Sequence, residues 1–296
     1  MNDIHQPAYS AAAPLEARSA RFPARIADAG GVIVAYREAT AAHATHALPL
    51  VLLHGLGSGA GSWVQQLEAL GGTRRVLAWD APGYGVSTPV APASPRPEDY
   101  ARVLAGWLDA LGVSRCVLVG HSLGAIVAGA FAVAHPARLG GLLLVSPAGG
   151  YGAATQALRD EKRDARLAML AELGPAGLAQ RRSPNMLSAS ADEAARAWVR
   201  WNMSCVIPHG YAQATHLLAH ADLAADLAHY RGVVSVAVGA EDTITSPAAC
   251  ERIAKAARTP LQIVPHAGHA GYIEAPRAYN ALIAAFARAC DANRSH

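Results

Sequence analysis

The sequence predicts an α/β fold in which a mostly parallel, eight-stranded sheet is flanked by helices and carries a helical insertion after its sixth strand. Short apolar runs alternate with helical patterns along most of the chain, which is typical of a parallel sheet covered on both faces. The alternation stops between residues 147 and 230, where helical segments follow one another without a convincing strand. In addition, the apolar run before Gly120 ends in a sharp G-x-S-x-G turn and a small-residue helix. These observations predict one large core interrupted by one insertion.

The composition supports this division. At 296 residues, 52% hydrophobic and 16% charged, the chain is long enough for one large core with a substantial insertion. We assign an α/β core to residues 23–146 and 231–292, and a helical insertion to residues 147–230. Residues 1–22 are rich in Ala, Pro and Ser without periodicity, and we expect them to form a mobile N-terminal tail.

Charge and cysteine usage narrow the function classes. The formal net charge is +3, from 25 basic and 22 acidic residues without a block of like charge, which favours neither nucleic acid nor a membrane surface as a partner. Four widely spaced cysteines without a C-x-x-C pair are typical of reduced thiols in a cytoplasmic protein. We see no secretory signal and no transmembrane segment. We expect a monomer or homodimer with a small-molecule substrate, no metal and no cofactor.

Strands are predicted where a short apolar run ends in a turn segment. Two extended runs about Gly30 and Gly31 predict a hairpin within residues 25–37. The other strands are predicted at residues 49–53, 75–79, 115–119, 141–145, 233–238 and 261–264.

Helices are predicted where apolar residues recur at helical spacing. Gly112 ends the first core helix, and the fixed φ of Pro276 suits the first turn of the last one. The core helices are predicted at residues 98–111, 125–134, 247–257 and from 276, and the insertion helices at 156–173, 192–205 and 210–227.

Ser122 is the candidate nucleophile. Gly120 and Gly124 flank it, and a Cβ at either position would crowd a tight strand-to-helix turn. The alternative is that Ser122 only caps the following helix, since serine is a favoured N-cap residue.

A nucleophilic serine needs a histidine to accept its proton and a carboxylate to orient that histidine. The strand at 233–238 is followed by Glu241 and Asp242, and the strand at 261–264 by His266 and His269. Because the carboxyl ends of parallel strands meet at one edge of the sheet, these loops are expected to converge on the serine turn.

Five motifs in this order resemble the α/β-hydrolase fold family over residues 24 to 290. They are H-G-L-G at 54–57, D-A-P-G-Y-G-V-S at 80–87, G-H-S-L-G at 120–124, G-A-E-D at 239–242 and G-H at 268–269. The resemblance implies an α/β-hydrolase fold whose insertion is a lid over the site.

The resemblance also implies the roles of individual residues. Ser122 would be the nucleophile, Asp242 the orienting acid and His269 the general base of a catalytic triad. The backbone N–H groups of Leu56 and Leu123 would form the oxyanion hole that stabilises a tetrahedral intermediate.

Other polar residues near the motifs are expected to have lesser roles. Glu241 is the rival carboxylate, but neighbours in a turn point apart and the family spacing favours Asp242. His266 is expected in solvent, and His121 beneath the serine turn. His54 is expected to brace the loop that carries an oxyanion donor, since no partner ligands are spaced to make it a metal site.

Serine at position 122 excludes, by resemblance, the dehalogenases and epoxide hydrolases of this fold, which use aspartate there. It implies a covalent acyl-enzyme, and we predict a serine esterase or lactonase acting on a small, largely apolar substrate. A catalytically silent binding protein is the alternative from a different class.

A second activity within the family is also considered. Residues 54–63 are similar to the glycine-rich loop of meta-cleavage product hydrolases, which split carbon–carbon bonds, and the chain is more loosely similar to enol-lactone hydrolases. The former usually carry Asn at the position of His121 and Trp at that of Ala270, so carbon–carbon hydrolysis is the second choice. Their lid arginine has possible counterparts in Arg196 or Arg200.

The pocket is expected to be lined by aromatic and sulfur-containing side chains. Trp198 and Trp201 are three residues apart on one predicted helix, so they could instead pack the core of the insertion. The candidate lining residues are His54, Trp63, Tyr151, Trp198, Trp201, Met203 and Tyr211.

Overall fold

The computed structural model describes residues 14–41, 43 and 46–293. The strands of this part of the chain form one sheet in the order β1-β2-β4-β3-β5-β6-β7-β8, with β1–β2 and β2–β4 antiparallel and the other pairs parallel. Their bounds are β1 Arg25–Asp28, β2 Ile33–Ala39, β3 Leu50–Leu53, β4 Val76–Trp79, β5 Cys116–His121, β6 Leu139–Val145, β7 Val234–Gly239 and β8 Leu261–Val264. The predicted mostly parallel, eight-stranded sheet is confirmed.

Helices cover both faces of this sheet. Within the described residues, none of them combines the length and the apolarity needed to cross a bilayer. They are α1 Leu15–Ser19, α2 Val64–Leu70, α3 Pro97–Ala110, α4 Leu123–Ala134, α5 Gln156–Arg182, α6 Glu193–Ser204, α7 Pro208–His220, α8 Leu223–His229, α9 Pro247–Ala256, α10 Gly271–Glu274 and α11 Pro276–Ala292.

Alternating side chains of the strands divide the core into two clusters. Val117 and Val119 of β5 pack with residues of α2 and α11, whereas Leu118 packs on the opposite face with residues of α3 and α4. This two-residue period is the geometry of a strand buried on both faces. The central strands are therefore held rigidly, and the loops at their carboxyl ends are held with them.

The helices α5–α8 lie between β6 and β7, where the sequence predicts the helical insertion. The predicted first insertion helix ends at residue 173, but α5 continues to Arg182. At Gly174 the backbone takes φ 63°, a left-handed value that glycine adopts without a Cβ clash, and Pro175 follows inside the helix. The Gly-Pro pair therefore ends the first helical segment at residue 173, as the sequence predicts, and a second segment that was not predicted continues across the kink to Arg182.

The prediction of a mobile tail over residues 1–22 is wrong for its described part. Leu15 of α1 is buried against the core, and Arg18 Nη2 donates to Glu68 Oε2 at 2.6 Å. Composition alone does not reveal this docking, because the partner carboxylate lies on α2, far along the chain. Residues 1–13 lie outside the described residues.

Candidate active site

The turn between β5 and α4 holds Ser122 in a strained conformation, with φ 52° and ψ −114°. A Cβ at Gly120 would lie 2.5 Å from Gly124 O, and one at Gly124 would lie 2.4 Å from Leu53 O, so the turn requires both glycines. The Ser122 side chain makes no capping hydrogen bond to α4. The helix-cap alternative therefore does not account for this serine, and strained backbone of this kind is typical of functional sites.

Asp242 and His269 are brought together at the carboxyl ends of β7 and β8. His269 Nδ1 lies 2.9 Å from Asp242 Oδ2, and both side chains are almost completely buried. The rival residues lie elsewhere: Glu241 Oε1 is 3.9 Å from Nδ1 of His266, and both side chains are exposed. The tertiary structure thus pairs the acid and the histidine that the resemblance indicates.

The carboxylate of Asp242 is saturated with hydrogen bonds. Its Oδ1 accepts from the backbone N–H groups of Ile244 at 2.8 Å and Thr245 at 2.9 Å, and its Oδ2 from His269 and the Thr245 hydroxyl. Burial raises the pKa of Asp242, but the bonds and charge of His269 and the bonds of Thr245 outweigh it and lower the pKa to about 2. The acid is therefore ionised at neutral pH and holds the proton of His269 on Nδ1, which leaves Nε2 as the acceptor.

Thr245 is a site residue that the sequence analysis missed. Its Oγ1 lies 2.9 Å from Asp242 Oδ2, 3.1 Å from His269 Nδ1 and 3.0 Å from the carbonyl oxygen of Ser146. It therefore links the acid, the histidine and the end of β6. The one available signal was its position three residues after the acid, within reach of the same turn.

His121 is buried next to Ser122 and supports the loop of the general-base candidate. Its Nε2–H donates to the carbonyl oxygen of His269 at 2.9 Å, and its ring is 4.8 Å from that of Tyr272. Burial, followed by the neighbouring His269, lowers the pKa of His121 to about 3. The imidazole is therefore neutral over the range in which the site would work.

His54 braces the neighbouring loop. Its Nδ1–H donates to Gly55 O at 2.8 Å, and its Nε2 accepts the backbone N–H of Ala81 at 3.0 Å. Burial lowers the pKa of His54 against the opposing effect of Asp80. Both nitrogens are thus committed to backbone groups, and no cluster of three or more potential ligand side chains is placed for a metal ion among the described residues.

The two candidate oxyanion donors lie beside the nucleophile. Leu56 follows Gly55, where a Cβ would lie 3.0 Å from Ser122 Cβ, and Leu123 is the first residue of α4. In the described part of the chain, no backbone carbonyl or side chain accepts a hydrogen bond from either N–H. Both residues line the same cavity as Ser122. The free N–H groups can therefore stabilise negative charge that develops next to the serine.

A cavity of about 440 Å³ lies between the core loops and the helical insertion. Ser122 and His269 line it from the core, and Tyr151, Met203 and Tyr211 from the insertion side. Its volume suits a small molecule rather than a polymer.

The remaining candidate pocket residues do not line this cavity. His54 faces the backbone of Ala81, and Trp63 is fully buried, stacked on Tyr272 with 4.1 Å between ring centroids. Trp198 and Trp201 stack on each other at 4.7 Å because their spacing places them on the same face of α6. The pocket prediction is therefore wrong for these four residues. Trp198 is buried, as the packing alternative expects, whereas Trp201 is exposed.

The arginines that face the cavity are also different from those expected. Arg196 donates to carbonyl groups of residues 188–191, and Arg200 lies near Glu193 on the surface. The cavity is instead lined by Arg166 and Arg182 of α5 and by Arg252 of α9. Arg182 was missed because the sequence places the end of its helix before Gly174.

Fold and site together define the class to which this protein belongs. Residues 50–282 match the family model described as "Alpha/beta hydrolase family". The chain is a member of the alpha/beta hydrolase family.

Solved structures place the chain near two kinds of hydrolase. It is similar to a thermophilic esterase from Thermogutta terrifontis, with a TM-score of 0.80, 25% identity and coverage of 91% of this chain and 99% of that one. It is also similar to the enol-lactonase from Burkholderia xenovorans LB400, with a TM-score of 0.78, 25% identity and coverage of 88% and 99%.

A curated relative matches over a shorter stretch. The 2-hydroxy-6-oxononadienedioate/2-hydroxy-6-oxononatrienedioate hydrolase of Burkholderia vietnamiensis is 43% identical over 111 residues, which cover 36% of this chain and 38% of that protein. The alignment therefore spans little more than a third of the relative.

Proposed function

We propose that this protein is a serine hydrolase that cleaves a small carboxylic ester or lactone through an acyl-enzyme on Ser122. The observation that carries the proposal is the convergence of a strained serine turn and a buried Asp242–His269 pair on one cavity. The free N–H groups of Leu56 and Leu123 support it, because acyl transfer needs donors already aimed at the oxyanion.

The proposed reaction follows from the placement of these groups. Ser122 Oγ attacks the carbonyl carbon of the substrate while His269 Nε2 takes the hydroxyl proton, and the negative oxygen of the intermediate lies between the two leucine N–H groups. The intermediate collapses, the bond to the alkoxide breaks, and His269 returns the proton to the leaving oxygen. Water, deprotonated by His269, then attacks the acyl-enzyme and releases the acid and free Ser122.

Similarity to an esterase and an enol-lactonase supports ester or lactone chemistry. Carbon–carbon hydrolysis is a second candidate, favoured by the 43% identity to the nonadienedioate hydrolase over 111 residues. It ranks second because His121 stands where the meta-cleavage enzymes usually carry Asn and is engaged with the backbone of His269.

The test is turnover and active-site labelling of the wild type and Ser122→Ala. We expect the wild type to hydrolyse short p-nitrophenyl esters, and the variant to lose at least about 10⁴-fold in kcat, since the remaining triad members contribute little without the nucleophile. A fluorophosphonate probe should label the wild type, with the adduct mapped by mass spectrometry to Ser122, and should not label the variant.

Thermal unfolding of the Ser122→Ala protein serves as the control for folding. Unchanged turnover in this variant, or a wild type that is neither labelled nor active on esters, would refute the proposal. Decay of the ultraviolet absorbance of a 2-hydroxy-6-oxo dienoate, tested in parallel, decides between ester and carbon–carbon hydrolysis.

A further inference from the structure

The side chains that line the cavity carry positive charge. Its lining includes Arg166, Arg182 and Arg252 and, among the described residues, no Asp or Glu. Of the histidines in the lining, His121 is neutral, with a pKa lowered to about 3 by burial and by His269. Guanidinium groups without an opposite charge, partly enclosed by protein, concentrate anions from solvent. The enclosure therefore favours an anionic ligand, whereas the sequence predicts a largely apolar one.

Arg166 is held in place before any ligand binds. Its Nη2 donates to the hydroxyl of Tyr151 at 3.0 Å and its Nη1 to Lys162 O at 2.6 Å, while its guanidinium lies 5.4 Å from the centroid of the Tyr151 ring. These contacts leave the charge without a carboxylate partner in the described part of the chain. A guanidinium oriented in advance loses little conformational entropy when it binds.

Arg182 is the second arginine of α5 in the cavity lining. No carboxylate, carbonyl or hydroxyl of the described residues accepts a hydrogen bond from its guanidinium. It lies on the other side of the Gly174 kink from Arg166, and the charges of both arginines act on buried Tyr211, whose pKa burial raises and the arginines oppose. Both arginines therefore line the cavity, and both are near enough to Tyr211 to act on its pKa.

This placement is not a general property of basic residues in the insertion. Arg181, the chain neighbour of Arg182, is exposed and does not line the cavity. Arg196 and Arg200 also lie outside the lining. Helix geometry explains the difference, because successive residues of a helix project about 100° apart.

We propose that Arg182 and Arg166 of α5 hold a carboxylate of the substrate, so that the protein acts on an ester or lactone that also carries a free carboxylate. The proposal deepens the proposed function and rests on it. A planar guanidinium presents paired N–H donors that match a carboxylate. The lining also includes the apolar side chains of Met186, Met203 and Leu218, which suit the carbon chain that joins the carboxylate to the reacting carbonyl.

The test compares two p-nitrophenyl esters of equal reach on the same enzyme. Mono-p-nitrophenyl glutarate carries a free carboxylate, and its methyl ester is the neutral counterpart. We expect the wild type to favour the anionic ester in kcat/KM by at least about tenfold, as a charge-assisted hydrogen bond would give. Arg182→Gln should abolish most of that preference. A double variant that carries both Arg182→Gln and Arg166→Gln should abolish the remainder. Damage to folding or to the chemical step lowers kcat/KM for both esters alike, so it leaves the ratio between the two values unchanged.

Arg181→Gln is the matched control, because it removes the same charge from the next residue outside the cavity. It should leave the ratio at the wild-type value. Neutral and anionic esters hydrolysed equally well by the wild type, or equal changes of the ratio in the Arg181 and Arg182 variants, would overturn the carboxylate inference and leave the proposed function standing.

A binding experiment separates the two proposals if neither ester is hydrolysed. Calorimetry with glutarate, and with neutral glutaramide as the comparison, needs no turnover. Binding of glutarate but not glutaramide, weakened about tenfold by Arg182→Gln and unaffected by Arg181→Gln, would support the anion site even if serine chemistry failed. No selective binding of glutarate would overturn it.

Discussion

The carboxyl edge of the sheet and the helical insertion that faces it differ in the hydrogen bonding of several polar side chains. At the sheet edge, Asp242 accepts four hydrogen bonds and both nitrogens of His54 are engaged with backbone groups. In the insertion, the guanidinium of Arg182 and the carboxylate of Asp226 have no hydrogen-bond partner among the described residues. These groups at the sheet edge are held in one arrangement, whereas Arg182 and Asp226 keep a donor and an acceptor available.

This difference separates chemistry from selectivity. A reacting group must be oriented before the substrate arrives, so its partners belong on loops anchored by buried strands. A charged group that recognises a substituent must lack an opposite charge as a partner until that substituent binds. Changes at the sheet edge are therefore expected to remove turnover of every substrate, and changes in the insertion to alter preference or stability.

The largest expected effect is at the acid. Asp242→Asn should lower kcat by about 10⁴-fold, since an amide no longer holds the Nδ1–H tautomer of His269. Steady-state kinetics with a neutral p-nitrophenyl ester measure it. The adjacent Glu241→Gln is the matched control, because that carboxylate is exposed and faces His266. A larger loss in the Glu241 variant would contradict the assignment of the acid.

A smaller effect is expected at Thr245, whose hydroxyl touches both members of the pair. Thr245→Val keeps the shape and removes the hydroxyl, so kcat should fall about tenfold with KM little changed. The pKa of Asp242 should rise, because one of its donors is lost. Thr245→Ser should restore kcat, which a role in packing alone would not allow. A serine variant as impaired as the valine variant would contradict the hydrogen-bonding role.

The smallest expected effect is in the insertion, at Asp226 of α8. Burial, followed by the charges of Glu98 and Asp222, raises its pKa to about 6. Because the folded pKa lies above the unfolded value of about 3.9, this group is expected to lower stability as pH rises from about 4 to 6 and to keep it lowered above that range. Asp226→Asn should therefore raise the Tm at about pH 8 by a few degrees at most, since the site is partly exposed.

The dependence of Tm on pH also distinguishes Asp242 at the sheet edge from Asp226 in the insertion. The pKa of Asp242 is lowered to about 2 by its partners despite burial, so its contribution to stability is present above about pH 4 and is lost as pH falls through about 2. The Asp226 variant should show no gain in Tm at about pH 4, where the unfolded carboxyl is already partly protonated. An equal gain at both pH values would point to packing instead of charge.

Much of the core could be predicted from local sequence. Strands such as Leu50–Leu53 are short apolar runs ending in turn residues, and the two glycines about Ser122 indicate a turn that cannot accommodate a Cβ. Such constraints act over a few residues, so they produce a pattern that can be recognised in a short stretch of sequence. The docking of Leu15, and the contacts of Thr245 with Ser146 and His269, depend on residues distant in the chain and leave no such pattern. Only the three-residue spacing of Thr245 from Asp242 could be seen in the sequence.

By itself, the sequence determined the parallel sheet, the position of the insertion and the order in which Ser122, Asp242 and His269 reach one edge. Only the tertiary structure decided which side chains face the cavity. In the folded chain Arg166 and Arg182 line the cavity, whereas Arg196 and Arg200 do not, and the two insertion tryptophans stack on each other. The physical reason is that a strand end is placed by the sheet, whereas the direction of a side chain on a kinked helix is set by how that helix packs.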